Sequence, residues 1–362
     1  GRLDIDFDDL THKYHRYVYK IEHCESDWTI SDGLFTSDII NGFAEGNTID
    51  DVTESEGTNT QYTHYHIGIP NEKCSLKMSG NYMLTVSDEN NYDVPVLKAF
   101  FMVEEPAMLV RMEATTNTDI DFNASHQQIS MSINYGKIRV TDPSSQIKTV
   151  VMKNRQWHDA RINVKPQMVR PDGLAWEHCR EYIFNAGNEY HKFEILDTDH
   201  PSMGVERVEW DGNEYNAYIS IDHPRRNYVY DKDANGSFLI RNSDNIDNDI
   251  ASDYMNVHFQ LTCQEPVNGD VYINGAWTND SFSDEYKMKY DYSEKCYKTC
   301  IRLKLGYYSF QYLQKSPNGS ISIMPTEGNF WQTENEFQSL IYYRTPSDRS
   351  DRLVGYGKIR IN

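Results

Sequence analysis

The sequence has little positive charge. It holds 35 Lys and Arg against 55 Asp and Glu, for a formal net charge of −20 at pH 7. A chain this acidic is repelled by phosphate backbones and anionic lipid surfaces. We therefore expect no nucleic-acid partner, and partners that are neutral, basic or bridged by a cation.

Long hydrophobic runs are also missing. No stretch approaches the roughly 20 apolar residues of a membrane-spanning helix, so we expect no direct membrane insertion. No signal peptide stands at the start, where Gly1 and Arg2 come directly before a strand-like pattern. We interpret this as a trimmed mature protein.

Cysteine is sparse, and catalytic motifs are absent. The six Cys form no C-x-x-C pair; Cys263 could bond to Cys296 or Cys300 across neighbouring strands, or all could be buried small hydrophobes. No nucleophile elbow, H-E-x-x-H, Walker loop or G-x-G-x-x-G appears. His64 and His66 share one face of a predicted strand, but without a third ligand we interpret them as polar strand surface. We predict a protein that is not an enzyme and has no catalytic residue, metal or cofactor.

What the sequence does have is aromatic residues, 13% of the chain including 26 Tyr. This composition favours strands, and 362 residues are too many for one sandwich. We predict an all-β chain of tandem β-sandwich domains of immunoglobulin-like, early-set type. The expected domains are an N-terminal sandwich (1–105), a middle β-rich domain (106–250) and a C-terminal early-set sandwich (251–362).

Local signals refine this division. Trp157, Trp176 and Trp210 are predicted to anchor the middle core, and the polar run 242–253 to be a linker. In residues 231–236, Asn-Gly between two strand-like runs predicts a metal-free hairpin, although the segment imitates half of a calcium loop.

Two short segments share the form Gly-x-Tyr-x-apolar-x-apolar, at 80–86 and 306–312. They resemble the sandwich corner at which a Tyr bonds back to the backbone. We expect Tyr82 and Tyr307 at matching strand starts in the two outer domains.

Residues 271–279 resemble the opening of early-set modules, including those that bind glucans. Trp277 is thus a candidate for stacking on a sugar, although packing over its own sandwich is the favoured interpretation. A carbohydrate-binding or surface β-sandwich protein is therefore the alternative function, with carbohydrate as a less favoured partner.

The C-terminal stretch 327–356 predicts a lead-in, a strand, a charged loop and a returning strand. Alternation places Phe337, Ile341 and Tyr343 inward and leaves Tyr342 partly exposed beside Arg344. We expect the loop to present a surface to a partner or to the adjacent domain. Its charged side chains are expected to pair with one another: Arg344, Arg349 and Arg352 with Glu334, Asp348 and Asp351.

The same stretch carries E-G-N-x-x-x-T-E-N-E and L-I-Y-Y-R-x-P-x-x-x-x-D-R-L-V-G-Y, and resembles the C-terminal signature of the type IX secretion system plug family. Further similar stretches lie at 3–10, 22–29, 41–46, 62–72, 79–86, 186–194 and 235–242. The resemblance implies an all-β, non-catalytic protein of the periplasm, associated with the outer membrane. Its implied partner is the outer-membrane translocon, whose periplasmic opening such a protein occludes. The binding candidates that it implies are Glu327, Glu334, Asn335, Tyr342, Arg344, Asp351, Arg352 and Tyr356.

Overall fold

A computed structural model describes residues 1–361 of the chain. Strands make up 48% of it and helices 7%, which confirms the all-β class. Among these residues, no helix combines the length and the apolar content needed to cross a membrane.

The strands in the first half of the described chain are β1 (Leu3–Asp9), β2 (Tyr17–Cys24), β3 (Ile40–Gly42), β4 (Asn47–Thr48), β5 (Asp51–Glu54), β6 (Thr63–Ile69), β7 (Cys74–Leu76), β8 (Gly80–Asp88), β9 (Asn91–Val103), β10 (Leu109–Thr115), β11 (His126–Asn134), β12 (Ile147–Lys153), β13 (Arg161–Ile162), β14 (Met168–Arg170) and β15 (Gly173–Trp176). Those in the second half are β16 (Ile183–Asn185), β17 (His191–Ile195), β18 (Val205–Trp210), β19 (Tyr215–Ile219), β20 (Phe238–Ile240), β21 (Tyr254–Thr262), β22 (Asp270–Asn274), β23 (Lys287–Asp291), β24 (Cys296–Lys304), β25 (Gly306–Lys315), β26 (Ile321–Ile323), β27 (Glu336–Tyr343) and β28 (Arg352–Arg360). Single helical turns are α1 (Thr36–Ile39), α2 (Pro143–Gln146) and α3 (Asn248–Ala251), with 3-10 turns at Trp157–Asp159, Arg180–Tyr182, Ala276–Thr278 and Pro325–Glu327.

The N-terminal part encloses one core between two sheets, ordered β4-β2-β8-β9 and β1-β6-β5. Alternate residues of β2 and β8 fill that core, among them Tyr19, Ile21, Tyr82 and Leu84. The Tyr82 hydroxyl donates to the carbonyl of Met78 at 2.8 Å, so this Tyr does bond back to the backbone before its strand.

The C-terminal hairpin does not pair with the strands directly before it in sequence. Its sheet has the order β13-β12-β27-β28, and β27 runs antiparallel to β12. The facing sheet has the order β10-β11-β15-β14, with β16 beside β11. The core between them contains Phe337, Ile341 and Tyr343, as predicted, together with Trp176. Strands from the predicted middle and C-terminal domains therefore build one layer, and the domain boundaries stay predictions.

The expectation that Tyr342 is partly exposed is wrong. Tyr342 and Tyr343 are both buried, because β27 lies inside its sheet and is covered on both faces. Tyr343 faces the core just described, whereas Tyr342 packs with Leu340 and Leu353 in a second small cluster. Alternation alone cannot distinguish such a strand from one with a solvated face.

The largest sheet has ten strands and is nearly closed, like a barrel. Its path is β17-β25-β22-β23-β24-β21-β19-β18, with β20 and β26 also paired to β25. At the start of β25, Tyr308 is the residue that repeats the role of Tyr82, since its hydroxyl donates to the carbonyl of Lys304 at 2.6 Å. The prediction named Tyr307 and was one residue off.

Several local predictions need correction. Trp176 is buried, but Trp210 is 47% exposed and anchors no core. Residues 234–237 do form a tight turn, yet no hairpin follows, because β20 pairs with β25 instead of with the chain before the turn. All six cysteines in the described chain are free, so of the two alternatives for Cys263 the disulfide is wrong; five of the six are buried and Cys300 is exposed.

The polar run 242–253 is not a free linker. Its Asp253 carboxylate accepts hydrogen bonds from the backbone N–H groups of Asn59 and Thr60, at 2.6 and 2.9 Å. The hydroxyl of Tyr62 donates to the carbonyl of Ser252 at 2.9 Å. This run therefore docks the N-terminal part onto the ten-stranded sheet.

Candidate functional site

The residues singled out by the family signature lie in two separate places. One group joins two motif stretches inside the protein, and the other joins the C-terminal hairpin to the N-terminal part. We call the first group the clasp, defined as residues 186–191 with 327–335.

Asn335 lies at the centre of the clasp and is buried. Its side-chain amide donates to the Ala186 carbonyl at 2.7 Å and to the Gln127 side chain at 2.9 Å, and its amide oxygen accepts from Asn154 at 2.8 Å. Glu334, half-buried, joins through its backbone N–H, which donates to the Glu189 carboxylate at 3.1 Å. Asn335 therefore has a hydrogen-bonding role inside the protein rather than a surface for a partner.

Glu327, also buried, forms the ionic part of the clasp. His191 contacts both of its carboxylate oxygens at 3.1 Å, and Arg225 bonds to it as well. On its other side, His191 contacts Asp222 at 2.9 Å. Although burial alone would lower it, the two carboxylates raise the pKa of His191 to about 9. The imidazolium thus holds two carboxylates together inside the protein.

The clasp orders its region and does not resemble a reaction centre. Both nitrogens of His191 contact carboxylates, so neither is free to exchange a proton with a substrate. Asp222 also accepts from the hydroxyl of Tyr312 at 2.6 Å. Sequence reasoning missed His191, Asp222 and Arg225. The only signal for His191 was its place in the 186–194 motif, because nothing in the spacing links it to Glu327.

The hairpin loop faces the N-terminal part of the chain. Arg344 pairs with Glu25 at 3.3 Å, Arg349 with Asp38 at 3.5 Å and Arg352 with Glu105 at 2.9 Å. The predicted partners Glu334, Asp348 and Asp351 are therefore wrong. The loop extends over the N-terminal part, so its nearest opposite charges are not its own.

Asp351 is the buried centre of this contact. Its carboxylate accepts from the backbone N–H of Ser26 at 3.0 Å and from Lys148 at 2.8 Å, while its own N–H donates to Glu25 at 2.9 Å. Although burial opposes ionisation, these bonds lower the pKa of Asp351. The Tyr342 hydroxyl donates to Asn81 of β8 at 2.8 Å, which adds a second link. Of the signature residues named here, Tyr356 is the most exposed, at 41%.

A third contact joins β1 and β6 to the end of β24. Lys304 meets Asp8, whose side chain is only 6% exposed, at 2.5 Å, and Asp8 also contacts His64 and the hydroxyl of Tyr254, each at 2.7 Å. His64 is therefore not polar strand surface, whereas His66 remains half-buried and pairs with Asp6 at 2.6 Å. Burial acts against the charge on His64, yet Asp6 and Asp8 raise its pKa to about 9.

Register explains this third contact. The strands β1 and β6 pair antiparallel, with Asp8 opposite His64 and Asp6 opposite His66. The alternating Asp residues of β1 and His residues of β6 indicate these ion pairs, but only when the two strands are known to be neighbours in the sheet. No group of three or more His, Cys, Asp or Glu in residues 1–361 is arranged to hold a metal ion.

Trp277 lies beside this contact and lines a cavity of about 260 Å³. Its ring is half-buried and packs against Phe259, Tyr286 and Tyr308, and its indole N–H donates to the carbonyl of Ser309 at 3.2 Å. This agrees with the favoured interpretation, packing over its own sheet. The ring does not stand free as a sugar platform.

These sites define an all-β protein whose motif residues fix its sheets against one another through buried polar contacts. Residues 1–105 match the family described as the Type 9 secretion system plug protein 1st domain. Residues 1–105 therefore carry the first domain of the type IX secretion system plug family, which confirms the resemblance in the sequence.

One solved structure extends the similarity to the whole chain. It is the crystal structure of a hypothetical protein from Parabacteroides merdae, with 37% sequence identity and a TM-score of 0.96. The alignment covers 99% of this chain and 91% of that one. A search of curated proteins gave no match.

Proposed function

We propose that this chain is a non-enzymatic protein-binding module of the type IX secretion system that occludes the periplasmic opening of the outer-membrane translocon. The match of residues 1–105 to the plug family carries this proposal. The translocon is the proposed partner, and the periplasm beside the outer membrane is the proposed location.

The contacts between sheets support this role in physical terms. A plug must hold its shape while it closes an opening, so its parts should not move independently. Asp8 with Lys304, Asp351 with the backbone N–H of Ser26, and Asp253 with residues 59–60 each tie the N-terminal part to a distant segment. Asp253 and Asp351 are buried, and the side chain of Asp8 is only 6% exposed. A buried charge is costly to leave without its partner. The N-terminal part is therefore held by several contacts that all have to break before it can separate.

The finer architecture belongs to the same proposal. We propose that the paired sheets are tandem sandwiches of immunoglobulin-like type. Matching Tyr corners at Tyr82 and Tyr308 support this, since each hydroxyl bonds to the carbonyl four residues earlier.

Two observations favour a binding role over the alternatives. In the buried cluster around His191 and Glu327, both His nitrogens contact carboxylates, which suits a structural role. The packing of Trp277 against three aromatic rings leaves the carbohydrate alternative without a sugar platform at that residue.

Binding to the purified translocon tests the proposal. The translocon of the source organism is held on a sensor in nanodiscs, and an unrelated outer-membrane porin serves as the control surface. We expect saturable binding of the chain to the translocon alone. Equal binding to both surfaces, or binding to neither, would contradict the proposal.

A further inference from the structure

Strand β9 ends its sheet and leaves one edge of the chain without a partner. The sheet order is β4-β2-β8-β9, and no backbone hydrogen bond outside this sheet involves β9 in the described chain. At 13 residues it is more than twice as long as an average strand. An edge of this kind presents a row of free N–H and C=O groups to any extended chain that reaches it.

The outer face of β9 is apolar as well. In its second half, Leu97, Ala99, Phe101 and Val103 pack on the N-terminal core. The residues between them point away, and Val96, Phe100 and Met102 are 53%, 56% and 41% exposed. We call these three the β9 stripe. It places exposed apolar side chains along an unpaired edge, which is the pattern that strand addition uses for affinity and specificity.

An aromatic cluster forms around Phe100 of the stripe. The half-buried ring of Trp28 meets Phe100 edge-on at 5.4 Å and Trp157 at 5.5 Å. Trp28 has φ of 68°, a left-handed conformation that is uncommon for a bulky side chain. Exposed or half-exposed Trp and Phe in a cluster are typical anchors of protein interfaces.

Charge decides which occupant this edge suits. Acidic residues flank it at both ends: Asp88, Glu89 and Asp93 on one side, Glu104 and Glu105 on the other. Glu89 already pairs with Arg16 and Glu105 with Arg352, so Asp88, Asp93 and Glu104 supply the remaining negative charge.

These charges disfavour a second copy of the chain. Antiparallel pairing about Leu97 brings the acidic end at 88–89 against the acidic end at 104–105. Pro95 and Lys98 also lie on this edge, and both residue types keep native edges from pairing with copies of themselves. A partner with basic ends meets no such repulsion.

We propose that β9 takes up an extended segment of another protein as an added strand, one with apolar side chains at alternate positions and basic residues at both ends. The strand pairs with the free edge, its apolar side chains pack beside the β9 stripe, and its basic ends meet the acidic flanks. This surface is separate from the clasp and adjoins the C-terminal hairpin at Glu105, which pairs with Arg352. The proposal does not require the partner to be the translocon.

The test uses a fluorescein-labelled peptide of alternating Val and Thr with Lys at both ends. Fluorescence anisotropy measures its binding to the chain, and hydrogen exchange followed by mass spectrometry measures amide protection in 91–103. The variant is Phe100→Ser. Its matched control is Phe122→Ser, because Phe122 is 71% exposed and lies outside this sheet. The control peptide has Pro at its central positions and cannot complete a ladder.

We expect saturable binding, slower exchange in 91–103, a loss of about tenfold for Phe100→Ser, no change for Phe122→Ser and no binding of the Pro peptide. No binding of the Val-Thr peptide, equal loss in both variants, or protection elsewhere in the chain overturns the proposal. So does a dimer in light scattering that Phe100→Ser dissociates, because the occupant is then a second copy.

Discussion

The contact between Asp8 and Lys304 gives the sharpest stability prediction. Both side chains are largely buried, with 6% and 8% of their surfaces exposed. The Lys304 ammonium also donates to the Asp249 carbonyl at 2.6 Å and lies 4.2 Å from the ring centre of Tyr62. Lys304→Met removes the cation and leaves the Asp8 carboxylate buried.

Removing one member of a buried pair costs about 3–5 kcal/mol. Asp8 keeps its bonds to His64 and Tyr254, so we expect the lower end, about 3 kcal/mol. Lys20→Met is the matched control, since Lys20 is 47% exposed beside Glu22 and such a pair contributes about 0–1 kcal/mol.

Urea unfolding measures both variants, and the double variant Lys304→Met with Asp8→Asn completes a cycle. We expect the double change to cost less than the two single changes added together, by about 1–3 kcal/mol. If Lys304→Met costs no more than Lys20→Met, the contact does not hold the N-terminal part and the reasoning fails.

Three further predictions follow from the same contacts. The pKa values of His64 and His191 are raised from 6.5 to about 9, so the stability they contribute is complete below pH 6.5 and is lost as the pH rises. The free energy of unfolding should therefore fall by about 1–2 kcal/mol per histidine between pH 6.5 and pH 8. This pH range is chosen because it lies below the lowered pKa of Lys153. In urea titrations, the double variant His64→Gln with His191→Gln should lose this pH dependence. Tyr342→Phe leaves Asn81 without its donor and should cost about 1–2 kcal/mol in chemical unfolding, whereas Tyr292→Phe, at a residue 78% exposed, should cost nothing measurable. Gly80→Ala places a methyl group 2.2 Å from His23 Nε2 at a φ of +140° and should lower the melting temperature markedly. Gly33→Ala is the control for the backbone effect alone, because Gly33 has a φ of +80° and no atom within 4 Å of the added methyl group. Equal losses of melting temperature in the two variants would contradict the steric explanation.

Local patterns predicted much of the strand content. Alternation located β8, β25 and β27, because an apolar residue at every second position needs a face to bury. The Gly-x-Tyr form also predicted the two corners. Its Tyr is Tyr82 after Gly80 and Tyr308 after Gly306, so the form itself indicates Tyr308 and not the Tyr307 that was named.

The predictions that failed are those that depend on contacts between segments far apart in the sequence. β27 pairs with β28, as the predicted hairpin requires, but also with β12, almost two hundred residues earlier. That placement buries Tyr342 and directs Arg344 toward Glu25. For the same reason the polar run 242–253 was interpreted as a linker, since its partners at 59–60 are remote in sequence.

The sequence predicted several residues of the candidate site but not the contacts that they make. The family resemblance named Glu327, Asn335 and Asp351, which are buried and bonded to distant segments. Nothing in the sequence indicated that Glu327 contacts His191, because an ion pair between residues far apart in the sequence produces no periodic pattern. Motif residues can therefore mark internal contacts of a fold as readily as a binding surface.

The conductance of the purified translocon in a planar lipid bilayer tests the proposed function most directly. The chain is added to the periplasmic side of an open translocon, and the same amount of heat-unfolded chain serves as the control. We expect the folded chain to lower the conductance in a dose-dependent and reversible way and the unfolded chain to leave it unchanged. A conductance unchanged at concentrations that saturate binding would contradict it.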